Sequence, residues 1–104
     1  MEKRYSVIDC EQVPALLNES GTLLLDCRKL TEYRSGHIDG ALHVHDTLVE
    51  SLLENGDRER TLVIYCYHGH TSEHLAEAFG NAGFARVFSV AGGYDAWQRR
   101  SAVN

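Results

Sequence analysis

Cys66 is followed by Tyr67, His68, Gly69, His70, Thr71 and Ser72, a thiol at the head of a short polar loop. The run before it, Leu62-Val63-Ile64-Tyr65, is apolar and strand-sized, and the run after it, Ser72 to Phe79, repeats with helical spacing. Strand, tight loop and helix in that order place a sulfur at the mouth of a helix N-terminus. The free backbone N–H groups and the positive end of the helix dipole favour negative charge there. A thiol so placed ionises below its ordinary value of about 8.5 and becomes a nucleophile. The same amides can hold a small oxyanion, or the charge that develops as the thiolate attacks. Gly69 permits backbone angles or a close approach that a side chain would obstruct.

Other residues could join this chemistry or frame it. His68 and His70 offer hydrogen bonds, rather than full positive charge, to a dianionic substrate. The six histidines, at positions 37, 43, 45, 68, 70 and 74, raise the question of a metal. His70 and His74 are spaced i, i+4, but no Glu completes a His-Glu-x-x-His pattern, and no metal site is expected. Asp26 and Arg28 are expected to hold loops by pairing and capping, with Arg28 also a candidate for substrate contact. His37 is expected to bond backbone groups in a turn, and Trp97 to sit in the core. Cys27 follows a strand end; it is either a small buried side chain or a resolving thiol near Cys66. Cys10 carries no functional signal.

Local patterning sets the elements around these residues. Asp9 is the expected N-cap of a helix across Gln12 to Asn18, with Pro14 in its first turn. Thr22 to Cys27 reads as a buried strand, Thr31 to Arg34 as one helical turn ended by Ser35-Gly36, and Ala41 to Val44 as a second strand. Thr47 with Glu50 makes a capping box for a helix through Glu54 that stops at Asn55-Gly56. A strand over 62–66 and a helix over 72–82 follow, the helix with one apolar face and Gly83 as its C′ residue. A strand over 86–90 leads through Ala91-Gly92-Gly93 into a final short helix carrying Tyr94 and Trp97. Buried strands alternating with helices predict a parallel sheet covered on both faces, with ligands outside the carboxyl ends of the strands. Asp26-Cys27-Arg28, the Cys66 loop and the Gly92-Gly93 turn all lie at such ends, so one site built from three connections is expected.

With 104 residues the chain suits one domain spanning 1–104. A net charge of −5 argues against nucleic acid or anionic lipid as the main partner, so an anionic substrate must be drawn in by local features. No signal peptide or membrane-spanning run is read in the sequence. Three cysteines with no zinc spacing argue against a disulfide framework, and a reducing cytoplasm is expected.

Four segments carry a family resemblance that covers nearly the whole chain. Asp26-Cys27-Arg28 resembles an Asp-x-Arg that closes an early strand, and Gly36-His37-Ile38-Asp39-Gly40-Ala41 resembles a Gly-His-Ile-x-Gly-Ala signature. Cys66 to Thr71 resembles a six-residue active-site loop, and Ala91-Gly92-Gly93-Tyr94-Asp95-Ala96-Trp97 a C-terminal Gly-Gly…Trp signature. In this order they resemble the rhodanese homology domain, and the loop is similar to that of single-domain thiosulfate sulfurtransferases of the GlpE type. The resemblance implies a single α/β domain with a mostly parallel five-stranded sheet and helices on both faces. It implies Cys66 as the catalytic nucleophile, with Tyr67, His68, Gly69, His70, Thr71 and Ser72 cradling substrate and persulfide. Asp26, Arg28, Gly92 and Gly93 would support them. It also implies a two-step transfer from thiosulfate through a Cys66 persulfide to cyanide or a thiol, including a thiol protein such as thioredoxin. No cofactor, nucleic acid or membrane enters that scheme, and the protein is expected to be a monomer.

Three rival readings share parts of this pattern. A cysteine-dependent phosphatase or arsenate reductase needs a loop one residue longer that closes on an arginine gripping the oxyanion. Here Ser72 holds that position, and no arginine occurs between Cys66 and Arg86. A non-catalytic binding module would usually lack the cysteine. A sulfur carrier loaded by a protein donor shares the same Cys66 chemistry and stays open as the alternative.

Overall fold

The computed structural model describes residues 3–103. Five strands, β1 (Ser6–Ile8), β2 (Leu23–Asp26), β3 (Leu42–His43), β4 (Leu62–Tyr65) and β5 (Val87–Val90), form one sheet in the order β1-β5-β4-β2-β3. Every pairing is parallel. The helices are α1 (Val13–Leu17), α2 (Leu30–Ser35), α3 (Asp46–Asn55), α4 (His70–Asn81) and α5 (Gly93–Val103), and a 3₁₀ turn over Cys10–Gln12 precedes α1. None of the described helices is long and apolar enough to cross a membrane.

Strand side chains point alternately to the two faces, and here both faces are covered, which is why β2 and β4 read as unbroken apolar runs. Leu24, Val63 and Tyr65 pack on one face with Ile8, Val13 and Val90, beneath α1, α2 and α5. Leu25, Leu62 and Ile64 pack on the other with Leu52, Ala76 and Phe79, beneath α3 and α4. Leu25 and Ile64 are fully buried, so truncating either to alanine should cost about 2–5 kcal/mol. The parallel five-stranded sheet expected from the sequence is thus present, and wholly parallel.

Several boundaries differ from expectation for local reasons. β1 has no counterpart in the sequence reading of the elements: it is an edge strand of three residues in which only Ile8 is buried, too short to show a period. The helix expected over Gln12 to Asn18 is split into the 3₁₀ turn and α1. The Asp9 N–H donates to Gln12 Oε1 at 2.9 Å, which closes the turn before the α-helix begins. α3 starts at Asp46 rather than after Thr47, because His45 is its cap: Nδ1 accepts from the Leu48 N–H at 3.3 Å. α4 starts at His70, two residues before the expected Ser72, and α5 runs eleven residues rather than a short turn. Gly83 is C′ of α4 as expected. Its N–H reaches Gly80 O, and the Phe84 N–H reaches Phe79 O, which together close the helix end.

Candidate active site

Cys66 stands one residue past β4, in the middle of the sheet, and is only 5% exposed. Its sulfur faces the same side as Ile64, toward α4. Gly69 caps α4 with φ +102, a left-handed angle that side chains rarely adopt, and a Cβ there would press on Gly92 N at 3.1 Å and Val90 O at 3.3 Å. That angle turns the chain back over the sulfur. The Gly69 N–H donates to Cys66 Sγ at 3.0 Å and the Ser72 N–H at 3.4 Å. Ser72 Oγ lies 3.4 Å from the same sulfur. Both Ser72 and Ser89 are fully buried, and their hydroxyls are 2.8 Å apart, so Ser89 in β5 supports Ser72 from beneath.

The neighbouring strand supplies a further donor. β2 and β4 pair Asp26 with Tyr65, and the Cys27 N–H donates to Tyr65 O at 2.9 Å, which sets Cys27 beside Cys66. The thiol of Cys27 is the largest influence on Cys66, followed among the favourable ones by the Ser72 hydroxyl, the Ser72 N–H and the Gly69 N–H. Against the opposing effect of burial these hold the Cys66 thiol down to about 4. Cys66 is therefore a thiolate at neutral pH. The partner moves the other way: hydrogen bonding to Cys66, together with burial, pushes the Cys27 thiol far up, so Cys27 keeps its proton. One thiolate and one thiol thus stand side by side.

The third connection closes over the loop. The Tyr94 N–H donates to Cys66 O at 2.8 Å and the Asp95 N–H to Tyr67 O at 3.1 Å, so the N-terminus of α5 caps the loop carbonyls. Gly93 has φ +55, and a Cβ there would overlap the Cys66 carbonyl oxygen. Asp26 and Arg28 form a buried ion pair, with Nη2 to Oδ2 at 2.7 Å. The same nitrogen donates to Gly36 O at 2.6 Å, and the guanidinium lies 4.0 Å over the Tyr94 ring. Arg28 thus ties three connections together. Its Nε and Nη2 are taken by these partners, and the residue also lines the cleft beside Tyr67 and Tyr94.

The sequence-predicted residues therefore meet at one end of the sheet, with unequal closeness. Gly69 and Ser72 touch the sulfur; Tyr67, at 40% exposure, and the exposed His68, His70 and Thr71 line the outer rim. His68 Nδ1 sits 3.9 Å from Asp95 Oδ2, and the adjacent Arg99 guanidinium holds the Asp95 carboxyl below the usual carboxylate range. His37 Nδ1 meets Tyr33 O at 2.8 Å, a backbone contact as expected. Trp97 is half-buried against the core with Arg100 over its ring, not enclosed in it. Among the described residues no three His, Cys, Asp or Glu side chains converge as metal ligands would. Two contributors escaped the sequence reading. Ser89 could have been noticed as the one hydroxyl inside an apolar strand, since a buried hydroxyl needs a partner. The α5 amides left no trace, because any residue type supplies them.

The model of the rhodanese-like domain matches residues 9–100. The chain belongs to the rhodanese-like domain family. Solved structures of this fold superpose on nearly its whole length. The rhodanese-like domain of an Anabaena protein is 25% identical with a TM-score of 0.78, over 96% of this chain and 76% of that one. A human single-domain sulfurtransferase is 22% identical with a TM-score of 0.75, over 90% of this chain and 96% of that one. A Rhodopseudomonas palustris protein described as a possible tyrosine phosphatase is 22% identical with a TM-score of 0.77, over 93% of this chain and 82% of that one. At these identities the two last likenesses speak to the fold, so the rhodanese-like site must be read from its own residues.

Proposed function

We propose that the protein is a thiosulfate sulfurtransferase that carries the transferred sulfur as a persulfide on Cys66. The observation that carries this reading is the Cys66 thiolate, poised at about 4 and ringed by donors, in a loop with no cationic clamp. The thiolate attacks the outer sulfur of thiosulfate, the S–S bond breaks, and sulfite departs with the electron pair. Sulfite is a competent leaving group, so no general acid is needed. The terminal sulfur left behind is anionic, and α4 and the loop amides surround it with positive dipole ends. A nucleophilic acceptor, cyanide or a thiolate, then takes that sulfur and Cys66 leaves as the thiolate its donors already stabilise. A cleft of about 340 Å³ between Arg28, Tyr67, Tyr94 and Gln98 adjoins the loop and suits a small acceptor.

The phosphatase reading is disfavoured on the same ground: such a loop needs an arginine fork for the tetrahedral oxyanion, and Arg28 is held by Asp26 and Gly36. A carrier loaded by a protein donor is the second reading, favoured by Tyr67, a large aromatic left exposed beside the loop. The proposal further takes the protein to be a monomer in the reducing cytoplasm, with a thiol protein such as thioredoxin among the acceptors, and without nucleic acid or membrane partners.

The test is intact-protein mass after brief treatment of the reduced protein with thiosulfate, wild type beside Cys66→Ser, followed by cyanide. Wild type should gain one sulfur atom, and cyanide should remove it as thiocyanate, while Cys66→Ser gains nothing. A reduced wild type that gains nothing would rule out thiosulfate as donor.

A further inference from the structure

We propose that Cys27 resolves the sulfur-loaded site: it attacks Sγ of the Cys66 persulfide, forms a Cys27–Cys66 disulfide and releases hydrosulfide. This adds a sulfide-releasing activity to the transfer reaction, and it rests on the reading that Cys66 carries sulfur.

The geometry comes from the sheet. Cys27 and Cys66 follow Asp26 and Tyr65, which are paired in register on adjacent parallel strands, so both cysteines present their side chains to the α3–α4 face. Adjacent strands lie about 4.8 Å apart. That is inside the range of about 4.4–6.8 Å over which disulfides join Cα atoms. The backbone spacing of the two strands therefore suits a disulfide. The Cys27 N–H on Tyr65 O at 2.9 Å fixes Cys27 beside Cys66, and its thiol is the largest influence on Cys66. Cys10, the remaining cysteine, is on the opposite face with its sulfur against Ala96 O, and cannot substitute.

The step balances. Cys27 thiol and the Cys66 persulfide anion give one disulfide and one hydrosulfide ion. The Cys27–Cys66 bond forms as the bond from Cys66 to its outer sulfur breaks. The electron pair of the broken bond leaves with the outer sulfur, and the Cys27 proton goes to it. Cys27 is oxidised and the transferred sulfur is reduced. Each turnover then requires an external dithiol, or two monothiols, to reopen the disulfide. Cys27 is half-buried and lines a groove of about 590 Å³ with Val44, Val49, Thr71, His74 and Leu75. Cys66 does not line it. A reductant therefore has a path to Cys27 that does not cross the acceptor cleft.

The experiment loads reduced protein with thiosulfate, removes excess donor by rapid desalting, and follows intact mass and free sulfide with no acceptor present. Inorganic polysulfide serves as a second donor if thiosulfate leaves the protein unmodified. Wild type should pass from one sulfur heavier to two hydrogens lighter than the reduced chain, releasing one equivalent of sulfide. Digestion should place the new link between the peptides holding positions 27 and 66. Cys27→Ser, followed on its loaded fraction alone whatever its loading rate, should stay one sulfur heavier and release no sulfide. A loaded wild type that keeps its sulfur as long as Cys27→Ser overturns the resolving role and leaves the persulfide reading intact. Failure of both donors to load either protein overturns both.

Discussion

Replacing Ser72 with alanine isolates one donor of the Cys66 thiolate while leaving the others in place. The hydroxyl, 3.4 Å from Sγ, is lost, but the Ser72 N–H at 3.4 Å, the Gly69 N–H at 3.0 Å and the Cys27 thiol remain. A hydrogen bond to a charged group contributes about 1.5–3 kcal/mol. At about 1.4 kcal/mol per pKa unit that raises the Cys66 pKa by about one to two units. The starting value is about 4, so the variant should titrate at about 5–6. At neutral pH both proteins are then mostly thiolate, and alkylation by iodoacetamide should proceed at comparable rates. At about pH 5 the variant should react several-fold more slowly, because the protonated fraction is inert. The assay is the pH profile of the alkylation rate, with ultraviolet thiolate absorbance as a second readout. A folded Ser72→Ala protein whose midpoint coincides with wild type would refute the claim that this hydroxyl bonds the thiolate.

Ser89→Ala should shift the same midpoint upward by less, because Ser89 acts through Ser72 at 2.8 Å and not on the sulfur; the two pH profiles compared directly check this. The depressed Cys66 value also makes stability depend on pH. A group lowered from 9.0 to about 4 contributes stability that is complete above the unfolded value and lost as pH falls through the folded one. Urea midpoints of wild type minus those of Cys66→Ser should therefore rise steadily from about pH 5 to about pH 8, and a flat difference would contradict the shift. Gly93→Ala places a Cβ on the Cys66 carbonyl at a φ of +55, so it should destabilise by more than about 1 kcal/mol and disturb the loop, read as a lower urea midpoint with slower alkylation. Arg28→Leu leaves the Asp26 carboxylate buried without its partner and should cost about 3–5 kcal/mol in urea unfolding; a loss below about 1 kcal/mol would show that the pair does not hold the connections.

Local order was legible because its causes are local. An apolar tetrapeptide running into Cys66, a polar loop with Gly69 and a helical repeat from Ser72 place a thiol at a helix mouth. The same holds for the alternation of buried strands with helices, which determines a parallel sheet. Helix starts were less legible: His45 capping α3 and a left-handed Gly69 opening α4 are choices among nearby residues that compete for the same N–H groups. β1 depended on partners, since three residues at a sheet edge gain their order only from pairing with β5.

Neighbours within a few residues are enough to place the Cys66 thiol at a helix mouth, to shape its loop and to set the class of fold. What stands behind the sulfur depends on contacts made across the fold. Ser89 reaches Ser72 across seventeen residues, and the α5 amides cap the loop from beyond β5. Cys27 meets Cys66 solely through the register of two strands separated by thirty-nine positions. Register is fixed by the burial of both sheet faces at once, a property no single segment contains.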